Sequence, residues 1–207
     1  DISFKDPNWI KERFPTIYEH CLAKKIDITQ EPIPVVPAAH YTCGGVKTDL
    51  LGRTNLDRLY AVGEVACTGL HGANRLASTS LAEGVVWGYI AAESITGKIS
   101  EWDIYDSNRI KGWRNGTAPA DPALIQQDML TLKQTMWNYV GLTRTSNRLK
   151  RGSAMFKELH EEIQKFYKNA LLSDELIGLR NGVEVAYQVL ISSMRNTESV
   201  GCFYRKD

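Results

Sequence analysis

From residue 121 onward, apolar side chains recur at steps of three and four over three successive stretches, which restricts this half of the chain to packed helices. Asp121-Pro122 reads as an N-cap followed by proline at the first helical position, and Ile125, Met129, Leu132, Met136 and Val140 form the stripe behind it. A second helix is expected from 146 to about 168, with Leu149, Phe156, Leu159, Ile163 and Phe166 on one face. A third begins near 173 and turns Leu176, Leu179, Val183, Ala186, Leu190 and Met194 inward. No such stripe can be buried by its own helix. An antiparallel three-helix bundle is the arrangement that short links favour.

The first half has a different texture. Phe14, Ile17, Tyr18, Cys21 and Leu22 keep a helical spacing, after which Pro32, Pro34 and Pro37 exclude a helix and favour extended backbone. Residues 37–97 are rich in glycine and short apolar runs. Val46-Lys47-Thr48 is a candidate strand, and Leu59-Tyr60-Ala61-Val62 is a stronger one, ending at Gly63-Glu64. A small-residue helix is expected over about 78–94, closed by Gly97 as a glycine just past a helix end commonly does. Gly84 and Gly88 inside it point to close packing against a neighbouring backbone or ligand. A connector holding Gly112, Gly116 and Pro119 leads into the bundle. The fold class is α+β, in three segments: 1–36, 37–97 and 98–207.

Charge and composition exclude several functions. Twenty-five basic residues against 24 acidic ones leave a formal charge of +1, too little to draw in nucleic acid or an anionic membrane. No apolar run is long enough for a membrane helix. Asp1-Ile2-Ser3-Phe4-Lys5-Asp6 lacks the basic and apolar regions of a signal peptide, and the missing Met suggests a piece of a longer chain. Cys21, Cys43, Cys67 and Cys202 fit no metal or redox spacing, so no metal site is expected and a reducing, cytoplasmic compartment is the simplest reading.

The chemistry is concentrated in Pro37-Ala38-Ala39-His40-Tyr41-Thr42-Cys43-Gly44-Gly45, in Gly63-Glu64, and in the run from Thr68 to Leu81. Glycine-rich turns let backbone approach a ligand closely, and a helix N-terminus offers unpaired N–H groups to an anion or an electron-rich carbonyl. Arg75 could grip a carboxylate through two parallel hydrogen bonds, with His40 as a further donor. On residue types alone, a purely structural turn stays open beside a ligand site. His71 is expected to anchor the turn, and His20 and His160 to face solvent. Tyr41 and Cys43 either line a pocket or pack, and Cys67 has no evident activating partner. Arg144, Arg148, Lys150 and Arg151 read as a solvated helix face.

These runs resemble the succinate dehydrogenase and fumarate reductase flavoprotein superfamily, and most closely its L-aspartate oxidase branch. His40-Tyr41-Thr42-Cys43-Gly44-Gly45, the run from Thr68 to Ser78, Glu31-Pro32-Ile33-Pro34-Val35-Val36-Pro37 and the run 136–145 carry the resemblance, which extends over nearly the whole chain. It implies that 1–36 is the end of a capping domain, that 37–97 is the C-terminal segment of an FAD-binding domain, and that 98–207 is a linker and helical C-terminal domain. It further implies His40 and Arg75 as the residues binding substrate carboxylates, Glu64 on the FAD ribityl chain, and Ser80 and Leu81 against the flavin pyrimidine ring. The implied reaction oxidises L-aspartate to iminoaspartate, with oxygen or fumarate as final acceptor, in de novo NAD biosynthesis. Quinolinate synthase is the implied partner. The alternatives are a fumarate reductase or succinate dehydrogenase flavoprotein subunit, against which Thr42-Cys43 argues, and a non-catalytic helical interaction module.

Two departures stand out. The G-x-G-x-x-G fingerprint of FAD pyrophosphate binding is absent from these 207 residues, and the family's proton-transferring arginine is expected upstream of them, so the chain alone is expected to be inactive. Near the end, Glu198-Ser199-Val200-Gly201-Cys202-Phe203 carries valine and phenylalanine where the family has arginine and histidine. That puts in doubt any contact this segment makes with the catalytic part. Thr79, where the superfamily favours asparagine, is a milder change.

Overall fold

A computed structural model of the chain describes residues 2, 4–112 and 116–207. Asp1 and Ser3 of the signal-peptide test, and 113–115 of the expected connector, lie outside the described residues. The chain divides into two compact units, Asp1–Tyr41 and Thr42–Asp207.

In the first unit, helix α1 (Pro7–Arg13) starts where the Asp6 side chain accepts the N–H groups of Asn8 and Trp9. Helix α2 (Pro15–Ala23) follows almost at once. The spacing over residues 14–22 anticipated α2. It missed α1, a short helix that buries only Ile10. Beyond Glu31 the chain is irregular and exposed through His40, as its prolines require.

The second unit opens with strand β1 (Val46–Lys47), which pairs in parallel with β2 (Ala66–Cys67). Gly45 passes so close to the Val65 carbonyl that a Cβ has no room there. The stronger strand candidate, 59–62, is not a strand. Its backbone is spent on a tight turn instead: Thr54 donates to Leu59 (3.0 Å), Ala61 donates to Gly52 (3.0 Å), and Tyr60 bridges Arg53. The partner of β1 therefore lies further on, after a single 3-10 turn at Gly63–Val65.

Helix α3 (Ser80–Thr96) begins later than its composition suggests, because Ser78 sits at φ 63°, a left-handed conformation no helix accommodates. Gly97 closes α3 from ordinary helical φ, donating to Glu93 at 3.0 Å, so its left-handed freedom goes unused. Of the two internal glycines, Gly84 faces the backbone of Gly63, as close packing requires. Gly88 meets nothing within 4 Å among the described residues.

Helices α4 (Pro122–Val140), α5 (Ser146–Asn169) and α6 (Asp174–Arg195) pack pairwise on one another. Each start is capped: Asp121 accepts from Ala123 (2.9 Å), Thr145 from Arg148 (3.2 Å) and Ser173 from Leu176 (3.3 Å). Phe156, Ile163, Leu176, Leu179, Val183 and Leu190 are wholly buried between them. The chain is thus mostly helical with one small parallel sheet, and no described helix is long and apolar enough to cross a membrane.

After α6 the chain folds back along the bundle. Arg205 donates to the Asn196 carbonyl (2.7 Å), the Ser146 hydroxyl (2.6 Å) and the Asp207 carboxylate (2.8 Å). Asp207 also accepts the Ser146 N–H at 2.8 Å. These donors hold the Asp207 carboxyl well below the usual carboxylate range, the Arg205 bond being the largest influence.

Candidate functional site

Residues 68–76 form a tight loop whose glycines, Gly69 and Gly72, take φ 89° and 56°, which side-chain-bearing residues rarely adopt. Its interior is organised by Glu83 on the first turn of α3, whose side chain is only 1% exposed. The Thr68 hydroxyl donates to Glu83 Oε1 at 2.6 Å, and His71 Nε2 lies 3.0 Å from Oε2. The other imidazole nitrogen, Nδ1, accepts the Leu76 N–H at 3.1 Å, which leaves the ring proton on Nε2, facing the carboxylate. His71 anchors the turn, as expected.

The loop delivers Arg75 to the start of α3. Its N–H donates to Asn74 Oδ1 (2.9 Å) and its Nε to Ser80 Oγ (2.7 Å), so the plane of the half-buried guanidinium is fixed against the helix N-terminus. Thr79 donates its hydroxyl to the Leu76 carbonyl and does not cap α3. The first-turn N–H groups are therefore not closed by a side chain at the N-cap, and Leu81 beside them is 87% exposed. Arg75, Ser80 and Leu81 come together at one helix end. Glu64 sits in the 3-10 turn before β2 and accepts the Thr42 N–H at 3.0 Å. His40 is an exposed residue of the first unit.

Within the second unit, a groove of about 1130 Å3 runs beside Glu64, with Cys43, Gly44 and Gly45 on one side and Arg144 and Phe203 on another. Burial pushes the Cys43 thiol up, Cys202 adds to the rise, and the Arg75 guanidinium opposes it. Arg144 was expected on a solvated face, and it is not there. Its guanidinium lies 4.5 Å from the Phe203 ring centre, and its Nε and Nη1 atoms are buried with no hydrogen-bond partner among the described residues. Desolvation lowers its pKa. The missed signal was position: Arg144 precedes the N-cap Thr145, so it belongs to the link and not to the helix surface, where Arg148, Lys150 and Arg151 are exposed as expected. His160 is also less exposed than expected, 3.0 Å from Glu184 and stacked on Tyr187; His20 is exposed. No metal-binding cluster occurs among the described residues.

The altered C-terminal segment contacts this loop. Cys202 donates its N–H to the Ala73 carbonyl at 3.1 Å and its thiol to the same oxygen at 3.2 Å. Gly201, at φ 57°, presses so closely on Ala73 that a Cβ would collide with that carbonyl.

Residues 1–81 match the family described as FAD binding domain, and residues 129–207 match the fumarate reductase flavoprotein C-terminal family. The chain belongs to the succinate dehydrogenase and fumarate reductase flavoprotein family. Within it, the chain is similar to L-aspartate oxidases along its whole length: it is 46% identical to L-aspartate oxidase 1 of Ralstonia nicotianae and 44% identical to L-aspartate oxidase of Yersinia pestis. In each case it covers 39% of the relative, so it spans about two fifths of their length. Among solved structures, the FrdA chain of E. coli quinol fumarate reductase is 33% identical with a TM-score of 0.82, over 100% of this chain and 38% of that one.

Proposed function

We propose that this chain is the C-terminal part of an FAD-dependent L-aspartate oxidase, in which it binds the dicarboxylate substrate and one side of the flavin. The observation that carries this reading is the fixed Arg75 guanidinium at the start of α3, held by Ser80 within a chain 46% identical to an L-aspartate oxidase. Arg75 would hold one substrate carboxylate and His40 would add a donor, with fumarate fitting the same clamp. Pinning both ends of a four-carbon diacid orients its C2–H bond, which supplies several kcal/mol of the barrier through positioning.

The residues present fit FAD. The side-chain-uncapped first turn of α3 at Ser80 and Leu81 suits an electron-rich ring edge, and the carboxylate of Glu64 at the rim of a glycine-lined groove suits hydroxyl donors. When bound, FAD supplies the hydride acceptor, which oxygen or fumarate then regenerates. The same reading assigns 1–36 to the end of a capping domain, 37–97 to the FAD domain and 98–207 to a linker and an antiparallel three-helix domain. It also implies a cytoplasmic enzyme of NAD biosynthesis whose imine product passes to quinolinate synthase. A second reading, a fumarate reductase or succinate dehydrogenase flavoprotein subunit, is favoured by the likeness to quinol fumarate reductase; assaying the longer protein with aspartate against succinate separates the two. In that protein Arg75→Ala should lower kcat/KM for the dicarboxylate about 10- to 150-fold, the range expected for hydrogen bonds to a charged group. Unchanged dicarboxylate kinetics would overturn the clamp.

A further inference from the structure

We propose that Glu83, acting through His71, and the C-terminal turn at Gly201–Cys202, acting through Ala73, are positioning residues that set Arg75 for its carboxylate. The inference rests on the reading of Arg75 as the substrate clamp. A carboxylate 1% exposed is unfavourable unless donors surround it. Here Thr68 and His71 supply them, and both belong to the loop that ends in Arg75. The chain of contacts is continuous: Glu83 fixes the His71 ring, the ring's Nδ1 fixes the Leu76 N–H, and Leu76 directly follows Arg75. From the other side Cys202 takes the Ala73 carbonyl, with Gly201 close enough that no other residue fits without displacing one segment. Arg75 is therefore held between two fixed backbone points, at 73 and 76, while Ser80 sets its plane.

Two variants loosen the first point differently. Glu83→Gln keeps the volume but turns an amide N–H2 toward one of two donors. Thr68→Val keeps the shape and removes one donor, which covers the case in which the first variant does not fold. Gly201→Ala tests the second point. All are made in the FAD-loaded, full-length protein, and each is titrated with succinate and with propanoate while the flavin spectrum is followed. Kinetics with L-aspartate are measured alongside.

Each variant should raise the succinate Kd and the aspartate KM about tenfold, roughly the loss of one well-aligned hydrogen bond. The ratio of succinate to propanoate affinity should fall by the same factor, and kcat should change less than KM. A merely structural role would reduce the flavin-loaded fraction and leave that ratio and KM unchanged, and this result overturns the proposal. Arg75→Ala separates the two possible failures. If it lowers the ratio while the three variants do not, the brace alone is refuted. If it leaves the ratio unchanged, the carboxylate reading fails, and the brace fails with it.

Discussion

Three glycines in the helical part predict opposite responses to one substitution. Gly178, on α6, is exposed and a Cβ there would meet nothing within 4 Å among the described residues. Alanine should simply recover helix propensity, stabilising the chain by about 1 kcal/mol. At Gly182 a Cβ would lie 3.3 Å from a terminal methyl of Leu132, which can shift by a few tenths of an ångström, so the net gain should fall to about 0–1 kcal/mol. Gly152, on α5, is buried, and its Cβ would lie 2.9 Å from the Cβ of Tyr139 on α4. That atom is fixed to the backbone, so the two helices must separate. Overpacking of this kind costs about 1–3 kcal/mol, and subtracting about 1 kcal/mol of propensity leaves a net loss of about 0–2 kcal/mol. Gly152→Ala and Gly178→Ala should therefore differ by about 1–3 kcal/mol. With a urea dependence of about 1–3 kcal/mol per molar, their midpoints should differ by about 1 M. Equilibrium unfolding of the chain, followed by far-ultraviolet circular dichroism, measures this. A midpoint for Gly152→Ala at or above that of Gly178→Ala would refute the packing argument.

Asp207 predicts a pH effect. Its folded pKa is depressed below the ordinary 3.8, so its contribution is present above that value and lost as pH falls toward the folded one. The Tm gap between the parent chain and Asp207→Asn should be constant above about pH 5 and should narrow below about pH 4 in a thermal melt. Asp121→Ala removes the α4 cap and should cost about 1 kcal/mol in urea unfolding; no loss would show that the Ala123 bond contributes nothing net. The 207-residue chain purified alone should show no flavin absorbance, since its sequence carries no G-x-G-x-x-G; a yellow preparation would mean that one face of the cofactor site suffices.

The helices of the second half were readable because periodicity, caps and length agree there: Asp121, Ser173 and the inward stripes all fall where sequence put them. Residues 59–62 show the opposite case. Their apolar run is compatible with a strand, but the turn that consumes its hydrogen bonds is set by Gly52 and Arg53, outside the run. Arg144 was misread because composition sees a basic cluster, whereas burial depends on Phe203 folding back from 59 positions further along. The C-terminal departures misled for a related reason. Val200 and Phe203 replace the residues a motif would compare, yet the contact with Ala73 is made by Gly201 and by the N–H and thiol of Cys202. The main-chain part of such docking leaves little trace in side-chain identity. Glu64, Ser80 and Leu81 could be named only through resemblance, and for His40 and Arg75 residue chemistry left a ligand site and a structural turn both open, because glycine-rich turns specify where backbone may go and not what it meets.

The fold-back of the tail has a consequence for anyone recombining relatives of this chain. Arg205 ties the tail to the bundle, and Cys202 ties it to Ala73, a residue 129 positions earlier. A chimera spliced in the linker after α3 would thus inherit its arginine loop from one parent and the wall behind that loop from the other. Such crossovers should succeed only when the two parents agree at 73 and at 201–202, however well their helices match.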